Sequence, residues 1–145
     1  MKRFMFSATL AVAAIVMVLS AARAAAAEER PFQASVETTF LGWDADGNLV
    51  YSGTATLPHW GWTKHLARVA IQNKNKATGT ITVYFGNGDM VNIEFEQVWD
   101  GIWVGDYWVT GGTGKFADAA GGGTITADAR EAGKVVLTYE GTLSY

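Results

Sequence analysis

The sequence predicts an all-β protein, a single closed antiparallel β-barrel of about eight strands. Three observations carry that expectation. Apolar and polar residues alternate with a period of two in one short segment after another, turn-forming residues separate the segments, and no stretch has helical periodicity. So many strands in an open sheet would leave edges free to pair with other chains. Closure removes both edges, which favours a barrel over a two-sheet sandwich.

The chain opens on a segment of another kind. Lys2 and Arg3 precede an almost unbroken apolar run from Phe4 to Leu19, and Ala22 to Ala27 supplies the small residues that signal peptidase accepts. The run approaches the length of a membrane span, but its alanine-rich tail leads straight into Glu28-Glu29-Arg30, which favours cleavage. Residues 1–27 therefore read as a signal peptide and residues 28–145 as the barrel domain. The expected location is secreted or periplasmic, with no stable membrane span after cleavage.

Charge and cysteine content narrow the function classes. The full chain has 11 basic and 14 acidic residues, a net charge of -3, and removing Lys2, Arg3 and Arg23 with the signal leaves 8 against 14, or -6. An acidic protein with scattered cations repels a phosphate backbone, so no nucleic-acid partner is expected. The absence of cysteine excludes disulfide staples, thiolate chemistry and zinc–thiolate sites together.

The strands follow in order. Phe32, Ala34, Val36 and Phe40 alternate with Gln33, Ser35, Glu37 and Thr39. Asp44 to Asn48 makes a turn, and Leu49 to Leu57 alternates again to complete a hairpin. Pro58 to Lys64 is expected to be a loop, an unusual one because it carries Trp60 and Trp62. His65, Ala67, Val69 and Ile71 then share a strand face, followed by a turn over Asn73 to Gly79. Ile81, Val83 and Phe85 lead through Gly86-Asn87-Gly88-Asp89 to Val91, Ile93 and Phe95, a second hairpin. Ile102 to Thr110 is bulky on both faces, with Ile102, Val104 and Trp108 opposite Trp103, Tyr107 and Val109, and is expected to be covered on both sides. Thr124 to Ala129 and Val135 to Tyr145 complete the set.

Between the Ile102 to Thr110 and Thr124 to Ala129 strands lies Gly111-Gly112-Thr113-Gly114-Lys115-Phe116-Ala117-Asp118-Ala119-Ala120-Gly121. Its four glycines permit backbone angles closed to other residues, and Phe116 offers one large apolar group to anchor the turn against a core. This stretch resembles the GGTG[RK]F...A.G signature of the allene oxide cyclase and dirigent barrel superfamily. Asn87-Gly88-Asp89 and Lys64-His65-Leu66-Ala67-Arg68 are similar to segments of its exported bacterial branch. Lysine stands where arginine is commoner, and Ala67 where glycine is commoner. The resemblance implies a small barrel with a hydrophobic cavity, dimeric or trimeric in some members, used in plants to guide cyclisation or coupling of reactive intermediates. The interior acids of the plant enzymes have no matching motif here, so none is carried over.

Other motifs fail on inspection. Gly112 to Ala117 fits G-x-G-x-x-A but leaves no room for the dinucleotide-binding helix, and Gly114-Lys115 lacks both the following Ser or Thr and, at Val109, the first glycine of a phosphate loop. Asp44, Asp46 and Asn48 open like a calcium loop, but Leu49 replaces its glycine and Ala55 its bidentate glutamate. His59 and His65 have no third ligand at a useful local spacing. No metal and no cofactor are expected. Glu94 and Glu96 read as solvent-facing acids on a polar strand face.

The candidate site is therefore a cavity. Trp60, Trp62, Trp103, Tyr107 and Trp108 are the expected grip on a small hydrophobic or aromatic ligand. His65, on an apolar strand phase, is either a structural histidine at the barrel rim or a polarising group at the cavity mouth. Asp106, between Val104 and Trp108, is either a general acid or base with a raised pKa or an outward-facing carboxylate. Three functions stay open: a non-catalytic binder, a cofactor-free isomerase or cyclase, and a filled barrel that binds a protein partner.

Overall fold

A computed structural model describes residues 28–145, and the signal-peptide reading of residues 1–27 lies outside the described residues. Eight antiparallel strands run in sequence order around a closed barrel. They are β1 (Glu29–Trp43), β2 (Leu49–Leu57), β3 (Gly61–Asn73), β4 (Lys76–Phe85), β5 (Met90–Trp99), β6 (Trp103–Gly112), β7 (Ala120–Glu131) and β8 (Lys134–Ser144). Closure comes from β1 pairing with β8 in unbroken register from Glu29↔Ser144 to Thr39↔Lys134. Neither edge is left to template another chain.

The alternation in sequence becomes inside and outside. Phe32, Ala34, Val36 and Thr38 of β1 are buried, as are Val91, Ile93, Phe95 and Gln97 of β5, while the intervening residues face solvent. Burying so many apolar side chains is the main source of stability, at roughly 25 cal/mol per Å² of apolar surface.

Up-and-down connectivity sorts the turns by end. The β1–β2, β3–β4, β5–β6 and β7–β8 turns ring one end, here called the mouth. The β2–β3, β4–β5 and β6–β7 connections ring the other, together with Glu29 and Ser144.

Three expectations are corrected. The turn expected over Asn73 to Gly79 shrinks to Lys74 and Asn75, because β3 runs to Asn73 and β4 starts at Lys76, the two pairing at Asn73↔Lys76. β3 starts at Gly61, so only Pro58 to Trp60 connects it to β2, and Trp62 is a strand residue facing outward at 49% exposure. The cross-strand pairing of Trp62 with Thr56 outweighs the loop signal of Pro58. β6 is not covered on both sides: Tyr107 is buried, but Trp108 is 41% exposed, because a single-layer barrel has nothing outside it to cover that face.

Candidate functional site

The barrel interior divides into three layers. At the closed end, residues 113–119 fold over the opening with a single 3-10 turn, Gly114–Phe116. Thr113 doubles its bond to β5, donating its N–H to the Met90 carbonyl at 2.9 Å and accepting the Met90 N–H on Oγ1 at 3.1 Å. Gly114 has φ of +58° and lies against the Asp89 carboxylate, so a side chain there would be both strained and obstructed. Phe116 is thereby driven inward to full burial. Its ring centroid lies 4.6 Å from Phe85, 5.0 Å from Tyr145 and 6.3 Å from Trp60. Trp60 completes the plug and is fixed by donating Nε1–H to the Pro31 carbonyl at 3.3 Å.

Below the plug lies a polar layer. His65 is fully buried, with Nε2 2.9 Å from Thr63 Oγ1 and Nδ1 3.2 Å from the Tyr139 hydroxyl. Thr63 Oγ1 donates its own proton to the Ala55 carbonyl at 3.1 Å, so it must accept from His65. The proton therefore sits on Nε2, and Nδ1 accepts from Tyr139. Burial lowers the His65 pKa to about 4. It also raises the Tyr139 pKa, with a further rise from neighbouring Tyr107, and pushes Tyr107 up to about 12. All three side chains are neutral at physiological pH. The Tyr107 hydroxyl is buried without a hydrogen-bond partner.

The third layer is open. A cavity of about 170 Å³ enters from the mouth. Its wall is aliphatic and aromatic; Tyr51, Gln97 and Trp103 are its only side chains that carry a polar atom, and none of the wall residues is Asp, Glu, Lys, Arg or His. Gln97 is held by donating Nε2–H to the Ile125 carbonyl at 3.1 Å. The cavity slightly exceeds the roughly 150 Å³ at which an apolar protein void admits benzene.

The candidate residues separate among these layers. Trp103 lines the cavity. Trp60 belongs to the plug at the opposite end, and Tyr107 to the middle of the barrel, in edge contact with Phe32 and Tyr139. Trp62 and Trp108 face outward. Trp108 donates Nε1–H to Glu94 at 3.0 Å on the outer wall. Asp106 is also exposed there, paired across the sheet with Glu96 and Thr124, so it does not enter the cavity. His65 is inside, in the central layer rather than at the rim. Thr63, Gln97 and Tyr139 were not singled out in the sequence, although each occupies the apolar phase of its strand, a position where a polar group signals a buried hydrogen bond. Among the described residues no group of three or more His, Cys, Asp or Glu could hold a metal ion.

No family model and no curated protein matches the chain. Among solved structures it is similar to the pterocarpan synthase dirigent protein GePTS1, with a TM-score of 0.51 and 13% identity over 81% of this chain and 86% of that one. The fold is a dirigent-like barrel. In this dirigent-like barrel the glycine-rich stretch plugs one end, and the cavity opens at the other.

Proposed function

We propose that the protein is an exported binding barrel that holds a small, neutral, apolar or aromatic molecule in its mouth cavity. The carrying observation is an open apolar cavity with no charged side chain of either sign on its wall. A charged ligand entering it would lose hydration without a counter-ion, whereas an apolar one gains about 25 cal/mol per Å² buried. Export rests on the signal-like segment over residues 1–27.

A second reading is supported by the fold. The similar structure is a dirigent protein described as a pterocarpan synthase, so the same cavity could restrain a reactive intermediate and favour one cyclisation. Both His65 ring nitrogens are already engaged, which favours restraint of conformation over proton transfer by this histidine.

Native mass spectrometry of protein purified gently from its own host tests the binding reading. A reproducible extra mass released on denaturation supports it. Ala127, on the cavity wall, offers the control: Ala127→Phe is expected to fill the void and weaken uptake of a monocyclic aromatic at least tenfold, about 1.4 kcal/mol, while the fold persists. Unchanged Trp fluorescence across an apolar ligand panel, with a bare mass, rejects the cavity as a binding site.

A further inference from the structure

We propose that the mouth end is a docking face for the surface of a neutral lipid layer. Seven large apolar side chains are conspicuously exposed among the described residues, and five of them, Leu41, Trp43, Ile71, Val98 and Trp99, lie at the mouth ends of β1, β3 and β5. They are 49–66% exposed and come from strands on different sides of the entrance. The crown continues into the cavity: Trp99 packs edge-on against Trp103 at 5.4 Å, and Ile71 and Trp103 are themselves wall residues.

Area and shape choose between occupants. Together the five side chains present on the order of 500 Å². A stable protein interface takes about 800 Å² from each partner and concentrates its energy at a packed centre. Here the centre is an opening. A second copy or another rigid protein would span that opening without filling it, whereas mobile hydrocarbon can enter it. Tryptophan, with an apolar body and an N–H donor, suits the boundary between headgroups and acyl chains.

The charges beside the crown identify the kind of lipid. Arg68 lies 3.7 Å from Asp44, Lys76 2.7 Å from Glu96, Arg130 2.9 Å from Asp128, and Lys134 3.5 Å from Glu37. Among the described residues, Lys74 in the β3–β4 turn has no acidic partner, but it is outnumbered by Asp46 and Asp100, which have no cationic partner in the β1–β2 and β5–β6 turns. The mouth therefore offers no surplus positive field to an anionic surface, and a zwitterionic headgroup layer is the complementary one. Docking there would align the cavity entrance with hydrocarbon in which apolar molecules are dissolved. The docking itself does not depend on what the cavity holds.

The test is co-sedimentation of the purified protein with phosphatidylcholine vesicles, alongside vesicles containing brominated acyl chains that quench inserted tryptophan. Uptake by neutral vesicles is expected, insensitive to salt and accompanied by quenching. The double variant Trp43→Ala/Trp99→Ala is expected to lose uptake at least roughly tenfold, while Trp62→Ala/Trp108→Ala, on the outer wall, leaves it unchanged. Circular dichroism checks that both keep the barrel. Absence of uptake, or equal loss in both variants, overturns the proposal. So does a dimer without vesicle uptake that Trp43→Ala/Trp99→Ala dissociates, which assigns the crown to a second copy.

Discussion

His65 shows how one buried polar residue makes stability depend on pH. Its pKa falls from the ordinary 6.5 to about 4 on folding because burial disfavours the imidazolium. Above pH 6.5 both folded and unfolded states carry the neutral ring, and its contribution is fully present. Between pH 6.5 and 4 only the unfolded state takes up the proton, so stability falls as pH falls, by about 3 kcal/mol in all. Denaturant titrations at several pH values should show this slope, and His65→Leu should remove that part of it while carboxylate titration remains. At neutral pH the same variant is expected to lose about 1–3 kcal/mol, because Tyr139 keeps a buried hydroxyl with no acceptor. The inward phase of His65 was legible from Ala67, Val69 and Ile71, but its depth was not, since alternation gives facing and not height along the barrel. The same limit applies to Asp106, whose parity with Trp108 was legible while the choice of inside or outside depended on closure.

At the scale of elements, the 113–119 connection holds the closed end through a few contacts. Phe116→Ala removes the ring at the centre of the Phe85–Trp60–Tyr145 cluster and is expected to cost about 3–5 kcal/mol in chemical denaturation. Gly114→Ala should cost about 1–3 kcal/mol through the positive φ and the adjacent Asp89 carboxylate. Both variants should leave the mouth cavity able to bind, because neither residue lines it. The anchoring role of Phe116 was legible in a lone aromatic among glycines and small residues. The strand character of Gly121 to Gly123 was not, because glycine carries no side-chain pattern and these residues are held by the backbone of neighbouring strands. Trp62 misled for a related reason: two tryptophans a residue apart resemble an aromatic lid, yet one lies in the plug and the other on the outer wall.

The whole molecule depends on the β1–β8 seam. Glu29 and Ser144 are paired neighbours, so joining the ends with a short linker and reopening the chain at the β7–β8 turn, between Ala132 and Gly133, should preserve the barrel. A permuted chain with native-like far-ultraviolet and near-ultraviolet circular dichroism meets that expectation, and deletion of β8 should abolish cooperative unfolding. The eight-strand count and the preference for closure were legible because each strand carried its own alternation and an open edge has a physical penalty. The division into plug, polar layer and cavity was not, since it depends on which residues from several strands arrive at the same height. The residues at which the chain enters and leaves the barrel also lie side by side at the plugged end. A tether attached through either one, to a bead, a sensor chip or a fused carrier, therefore holds the molecule with its entrance turned toward the surrounding medium.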